Sequence, residues 1–418
     1  MKQNYSTVKG MRDFLPAEAR KKQFIEDYLR RLFERYGFEP LQTPIVEDFA
    51  LLAAKGSGGE AVKEEIYYFK DKSERELGLR YDLTVPLGRV VASNPSLGRP
   101  FRRYCIGTVY RYDKPQAMRY REFTQADADI VGSTSVLADF ECLQMYCDAM
   151  AGLGLPFKVK VNNRALLEDL AKKCGVPADK IKDCFRSIDK LDKIGPKGVE
   201  KELEEKGIDS AILAQISTNS LEMVQDAIPE SDGLKNLKEV LELCSQNGLA
   251  EVVFDVSLAR GLEYYTGTVF EVSVLSGPSV GGGGRYDKLI EVYGGEPTPA
   301  LGISFGVDRL YDSLAGTLEM GPNTDLFIVP LGAPAFAAAT RLAAKIRSFG
   351  GAVEVDVMGR GVRKALEYAN KKGLPYITVI GENETKTGTV KIKEMSSGVE
   401  KEFKIEDAAG IRAMLKGG

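Results

Sequence analysis

Residues 102–131, RRYCIGTVYRYDKPQAMRYREFTQADADIV, constrain this chain more than any other stretch, because they read as two long strands joined by a charged loop, Lys114 to Tyr120. Side chains two apart share one face of a strand. The outgoing strand puts Arg103, Cys105, Val109, Arg111 and Asp113 on one parity. The returning strand aligns Arg121, Phe123, Gln125, Asp127 and Asp129, with Thr124, Ala126, Ala128 and Ile130 on the other side. Arg111 is placed to stand opposite the Gln125, Asp127 and Asp129 row. A hairpin with one solvated face is the commoner outcome of such alternation. The loop, however, lacks the Asn-Gly type of turn that a plain hairpin prefers. A floor of mixed charge beneath an Arg-bearing loop suits a substrate that is both zwitterionic and phosphorylated.

The chain of 418 residues contains no histidine. That excludes Ser-His-Asp and Cys-His machinery, histidine metal sites and imidazole proton shuttles. Chemistry here has to run on carboxylates, guanidinium groups, backbone amides or the substrate's own groups. The six cysteines form no C-x-x-C pair, so zinc is not expected, and they read as small buried hydrophobes. No apolar run approaches a membrane span, and the start, MKQNYSTVKGMRDFLP, lacks a signal-type apolar region, so a cytoplasmic location is expected. From Asp325 onward 15 Lys/Arg stand against 11 Asp/Glu, a local +4 that leaves −7 for the rest of a chain of net −3. A mildly basic module on an acidic body permits a nucleic-acid partner without requiring one.

Taken in order, residues 17–36 read as an amphipathic helix with Phe24, Tyr28, Leu32 and Tyr36 at i+4 and Ile25, Leu29 and Phe33 beside them, ended by Gly37. Phe38 to Thr43 reads as a strand closed by Pro44, which suits a sheet edge used for association. Ile66–Lys70 and Gly78–Tyr81 form a strand pair, followed by a helix over 85–92 that Asp82 or Thr84 is placed to cap. After a helix over 137–150 and a strand over 157–161, residues 163 to about 248 turn Lys-, Glu-, Asp- and Leu-rich with helical spacing, as in a helical insertion. Strand signal returns at 251–256 and 268–275. The run Gly281 to Gly284 is no phosphate loop, since no Gly-Lys-Ser/Thr follows. It serves either a flexible turn or a close backbone approach. Arg309 falls in the first turn of a helix after a strand over 301–305, where a cation opposes the dipole and favours an anion held between them. Past Asp325 strands and helices alternate in a small α/β unit with a largely parallel sheet, and no Gly-x-Gly-x-x-Gly follows its first strand.

These residues form a set. Arg111, Arg119, Arg260 and Arg309 are candidate anion ligands, and Asp82, Gln125 and Asp129 are candidate acceptors for an ammonium group. A carboxylate that attacks phosphorus is already ionised at neutral pH and needs no general base. The pattern therefore points to carboxylate activation by ATP, catalysed by positioning and electrostatics.

The motifs closely resemble those of the histidyl-tRNA synthetases, a family of class II aminoacyl-tRNA synthetases, over essentially the whole chain. Gly37 to Pro44 is similar to class motif 1, residues 102–131 to motif 2 and Gly302 to Leu310 to motif 3. Arg260-Gly261-Leu262-Glu263-Tyr264-Tyr265 and Gly282-Gly283-Gly284-Arg285-Tyr286-Asp287 resemble the two histidine-specific motifs, which discriminate far better. The resemblance implies an α+β catalytic domain with an antiparallel sheet, in two parts over 1–162 and 249–322. It also implies a helical insertion domain over 163–248 and a C-terminal α/β anticodon-binding domain over 323–418. The implied activity is that of a histidine–tRNA ligase, which forms histidyl-adenylate from L-histidine and ATP and then charges tRNA(His). Arg111 and Arg260 would be catalytic. Asp82, Leu83, Thr84, Arg111, Gln125, Asp129, Arg260, Tyr264 and Tyr265 would bind histidine. Arg111, Asp113, Arg119 and Arg309 would hold ATP, which would bring Mg2+. Gln116 would approach the acceptor end of the tRNA, and no protein-bound metal is implied. A homodimer built on motif 1 is expected. Asp113 stands where the class motif has Glu, and Asp82 and Asp129 are shorter than the Glu of many bacterial members, as in the archaeal and eukaryotic style of the family.

Overall fold

The computed structural model describes residues 5–54, 65–112, 114, 118–259, 264–275 and 277–416. The chain forms two compact units, Met1–Leu318 and Glu319–Gly418.

The first unit is built on an eight-stranded sheet. In chain order its strands are β1 (Glu39–Pro40), β5 (Phe101–Tyr110), β6 (Glu122–Val131), β7 (Phe157–Asn163), β8 (Val252–Phe254), β9 (Thr268–Val274), β10 (Ser279–Arg285) and β11 (Ala300–Gly306). They lie in the spatial order β1-β5-β6-β11-β10-β9-β7-β8. The six central strands pair antiparallel, while the short outer strands β1 and β8 pair parallel with β5 and β7. A separate three-stranded sheet holds β2 (Val46–Asp48), β3 (Tyr68–Lys70) and β4 (Glu76–Leu79).

One face of the large sheet is packed by the helices Pro16–Arg35 and Val136–Gly152. The buried stripe of the first helix is Ile25, Leu29, Leu32 and Phe33, whereas Phe24 is 37% exposed. The stripe thus lies one residue round from the Phe24/Tyr28 row, because Leu32 and Phe33 both turn inward. Helices over 164–246 share the same continuous core, contributing Leu166, Leu170, Phe185, Leu203 and Leu237. Helix Thr84–Ser93 packs with Leu289, Ile290 and Tyr286 in a smaller cluster.

Of the two readings left open for the glycine run the close backbone approach holds, and one strand shortens. The glycine run 281–284 is neither turn nor loop but an inner strand, β10. A Cβ on Gly283 would stand 2.2 Å from the Gly302 carbonyl oxygen, so the neighbouring backbone leaves no room for a side chain. Expected strand 38–43 shrinks to Glu39–Pro40, although Leu41 N–H still donates to the Tyr104 carbonyl. Pro40 has no N–H to offer, which suits an outermost strand.

The second unit carries a five-stranded sheet in the order β13-β12-β14-β15-β16, with β12 (Leu326–Pro330), β13 (Val353–Val355), β14 (Tyr376–Ile380), β15 (Thr389–Glu394) and β16 (Glu400–Lys404). The first three run parallel and the last two close an antiparallel hairpin. Helices Ala333–Ser348 and Ala408–Lys416 cover one face, and Val362–Lys372 the other. A further short helix, Glu382–Thr387, was not expected from spacing.

Candidate active site

Register decides what the large sheet presents. β5 and β6 pair Arg103 with Asp129, Cys105 with Asp127 and Gly107 with Gln125. β6 and β11 continue those rows to Gly302, Ser304 and Gly306. β10 and β9 extend the middle row through Gly282 to Glu271. Opposed residues in an antiparallel sheet share a face. The floor is therefore an acidic and amide row bordered by glycines that leave space above it.

Arg111 does not stand opposite Gln125, Asp127 or Asp129. It faces Arg121, whose carbonyl accepts its backbone N–H at 2.9 Å. Alternation fixes which face a residue takes, but the register is set by the turn, and the excursion here runs longer than Lys114–Tyr120.

Above the floor lies a cavity of about 310 Å3. Arg111, Arg119 and Arg309 line it together with Gln125, Tyr264, Tyr265, Ser304 and Glu271. Arg111 Nε donates to the Tyr81 carbonyl at 3.0 Å, and its guanidinium lies 5.2 Å from the Phe123 ring centre. Among the described residues no carboxylate pairs with Arg111. Arg309 Nη1 donates to the Ser279 carbonyl at 2.8 Å and Nε to that of Met118 at 3.3 Å, which ties the helix Val307–Leu314 to both walls.

The acceptor side is differently built. Gln125 Nε2 donates to Ser304 Oγ at 2.7 Å. Gln125 Oε1 and Asp127 Oδ1 are buried and have no hydrogen-bond partner among the described residues. Buried acceptors in that condition call for a donor such as an ammonium or an imidazole N–H. The Tyr264 and Tyr265 hydroxyls are 3.0 Å apart and their rings 4.3 Å apart. Burial pushes the Tyr264 hydroxyl above its usual range, with the Asp82 and Asp127 charges adding to it.

Four expected residues lie outside the cavity lining: Asp82, Leu83, Thr84 and Asp129. Asp82 Oδ1 accepts from the Thr84 and Val85 N–H groups at 3.2 and 2.9 Å, so it caps the helix Thr84–Ser93. Leu83 is buried, and its carbonyl accepts from Arg103 at 3.0 Å. Asp129 lies on the same face as Gln125 and Asp127 but beyond the cavity lining, paired with Arg103 at 2.7 Å and receiving the Tyr286 hydroxyl. Expected site residues Asp113, Gln116 and Arg260 lie outside the described residues.

Asp127 and Glu271 were not in the expected set. Asp127 shares its parity with Gln125 and Asp129, and Glu271 is the only acid in the apolar run TVFEVSV; those were the available signals. Burial, and after it the Asp129 charge, pushes the Asp127 carboxyl up to about 7, against the pull of Arg103. Its proton therefore stabilises the fold fully below the unfolded value of roughly 4, and that contribution is lost as pH rises through the folded value. In urea unfolding of the ligand-free protein, Asp127→Asn is expected to gain on wild type between pH 5 and pH 8. A difference that stays constant over that range would show that Asp127 does not titrate there.

Comparison with known proteins agrees with this geometry. A family model described as histidyl-tRNA synthetase matches residues 10–310, and one described as an anticodon binding domain matches 325–411. "Histidine--tRNA ligase 2" of Shouchella clausii is 37% identical over 418 aligned positions, covering 96% of this chain and 98% of the relative. "Histidine--tRNA ligase" of Bacteroides fragilis is also 37% identical and covers 96% of this chain and 97% of its own. The crystal structure of histidyl-tRNA synthetase from Nostoc sp. PCC 7120 superposes with a TM-score of 0.85 at 29% identity, covering 99% of this chain and all of that one. The chain belongs to the histidyl-tRNA synthetase family.

Proposed function

We propose that this chain is a histidine–tRNA ligase. It joins L-histidine to ATP as histidyl-adenylate with release of pyrophosphate, and then transfers histidine to the 3' end of tRNA(His). The observation that carries this reading is the division of one cavity. Arg111, Arg119 and Arg309 line it as cations, while Gln125 Oε1 and the tyrosine pair offer an acceptor and hydroxyls, with the buried Asp127 Oδ1 two residues along the same strand face.

In the first step the histidine carboxylate attacks the α-phosphorus, forming the new O–P bond as the bond to pyrophosphate breaks. The nucleophile is already an anion, so no protein base takes part. Arg111 bridges the carboxylate and the α-phosphate, and Arg119 and Arg309 hold the outer phosphates and the adenine side. On the amino-acid side, neutral imidazole presents one donor and one acceptor on separate nitrogens. The tyrosine hydroxyls can serve either, and buried acceptors left unpaired by an apolar substitute would reject it. Asp82, through its cap on helix Thr84–Ser93, and Asp129, through Arg103 and Tyr286, fix the walls of this subsite. Arg260, Asp113 and Gln116 keep the roles that the family resemblance gives them.

Mg2+ would enter with ATP. It keeps several waters and takes phosphate oxygens with one or two carboxylates. Glu271 and Asp308 are the carboxylates of the cavity lining that would be at hand to hold it.

Residues 323–418 are assigned to anticodon binding. Residues 163–248 form an insertion between two parts of a catalytic domain, 1–162 and 249–322, a division supported by a sheet that interleaves strands from both parts. A homodimer and a cytoplasmic location complete the reading. The first is supported by the minimal outer strand β1 and the exposed Ile45 and Val46 near it. The second is supported by the six unpaired cysteines.

ATP–pyrophosphate exchange tests the activity. Exchange that depends on L-histidine, followed by charging of tRNA(His), is the expected result. Absence of histidine-dependent exchange would overturn the reading.

A further inference from the structure

Behind the arginine wall of the cavity, three segments far apart in sequence meet at Arg12. Its Nη1 donates to Asp312 Oδ1 and to the Tyr120 hydroxyl, both at 2.8 Å, and its Nη2 donates to Asp308 Oδ1 at 3.2 Å. The guanidinium lies 3.9 Å from the Tyr120 ring centre and 4.5 Å from that of Phe14. Tyr120 OH donates in turn to Asp312 Oδ2 at 2.9 Å. Asp308 is buried, and its other oxygen accepts the Thr124 N–H at 2.7 Å and pairs with Lys22 at 3.2 Å. The Gly10 carbonyl accepts the Arg121 N–H at 2.8 Å, so the N-terminal segment grips this wall by backbone as well.

We propose that Arg12 is a positioning residue for the nucleotide, the clamp that holds the returning end of the 111–121 excursion against the helix Val307–Leu314. Asp308 and Asp312 are one helical turn apart on that helix, and only a planar fork with several donors can bridge both while stacking on a tyrosine. Each clamped residue adjoins a cavity arginine in sequence. Tyr120 follows Arg119, and Asp308 precedes Arg309. Arg12 itself does not line the cavity. Without it, two carboxylates face each other across one turn, Tyr120 loses its stacking partner, and Arg119 and Arg309 lose their common frame. Tyr264, Tyr265 and Gln125 are held by other contacts, so the amino-acid side should be spared.

This inference rests on the reading of Arg119 and Arg309 as nucleotide ligands, and kinetics of the full-length enzyme separate it from a merely structural tie. Arg12→Ala is expected to raise KM for ATP about tenfold or more, with KM for histidine within about twofold of wild type, since small misplacements of positioning groups have large effects. Arg12→Lys, which keeps the charge but not the fork, should fall between the two. Asp312→Asn should shift KM for ATP in the same direction by about threefold, and it covers the case in which Arg12→Ala folds poorly. Equal changes in both KM values, or a lower unfolding midpoint with both KM values unchanged, would overturn the clamp. Calorimetric titration with ATP and Mg2+, without histidine, distinguishes failure of the wider reading. Wild type that binds ATP but shows no exchange refutes the ligase assignment, while loss of ATP affinity in Arg12→Ala still supports the clamp. Wild type that does not bind ATP refutes both.

Discussion

Replacing Arg111 with alanine is expected to lower histidine-dependent ATP–pyrophosphate exchange by about 10²- to 10³-fold with the fold intact, the range seen when one pre-placed donor to a developing charge is removed. That corresponds to about 3 to 4 kcal/mol of transition-state stabilisation. The effect should be large because Arg111 is anchored without being neutralised. Its Nε is fixed by the Tyr81 carbonyl, its plane rests near Phe123, and no carboxylate among the described residues pairs with it. The cost of orienting the charge is therefore met during folding, and the charge is kept for the reacting groups. The same geometry limits the structural damage, since among the described residues the substitution breaks one side-chain hydrogen bond and no ion pair. Arg111→Lys should recover only part of the activity, because an ammonium cannot bridge a carboxylate and a phosphate in the plane of a guanidinium. The decisive comparison is kcat at saturating ATP and histidine. Exchange within a few-fold of wild type would remove Arg111 from the catalytic centre.

What could be read from the sequence follows the reach of each physical rule. Alternation placed Gln125, Asp127 and Asp129 on one face without any knowledge of partners, because side-chain parity is local. The partners were not local. Ser304 and Gly306 lie more than 170 residues from the strand they pair with, so the floor's second half was invisible. The hairpin register failed for a related reason. It depends on the length of the loop, and Arg111 consequently faces Arg121 rather than the acidic row. Gly281 to Gly284 left a turn and a close approach equally open. The choice was made by the carbonyl of Gly302, which belongs to a neighbouring strand. Arg12 and Asp312 were unreadable as a pair, since 300 residues separate them and neither carries a motif that names the other. Charge type and face were legible, then, while pairing was not. Asp129 shows the consequence. Its identity pointed to an acceptor for the ligand, and its partners, Arg103 and the Tyr286 hydroxyl, could not be read from the strand.

That pairing sets up the second large effect. Replacing Arg103 with methionine is expected to destabilise the first unit by about 3 to 5 kcal/mol, the usual cost of removing one partner of a buried ion pair. Arg103 is 1% exposed, and its Nη2 serves both Asp129 and the Leu83 carbonyl, so it joins strand β5 to strand β6 and to the start of helix Thr84–Ser93. Methionine fills much of the volume, which makes the lost charge, not a cavity, the main term. The two carboxylates left behind, Asp127 and Asp129, would face burial with no cation between them. Urea midpoints should therefore fall more at pH 8 than at pH 5, because at the lower pH a proton can take over part of the arginine's role. The double variant Arg103→Met with Asp129→Asn supplies the control. Asparagine can still accept the Tyr286 hydroxyl, and a neutral pair of similar volume is often as stable as the ion pair it replaces. Most of the lost stability should return, giving a coupling energy of at least about 2 kcal/mol. If the single variant lost less than about 1 kcal/mol, or if the double variant recovered nothing, the Arg103–Asp129 pair would not be what holds the floor in place.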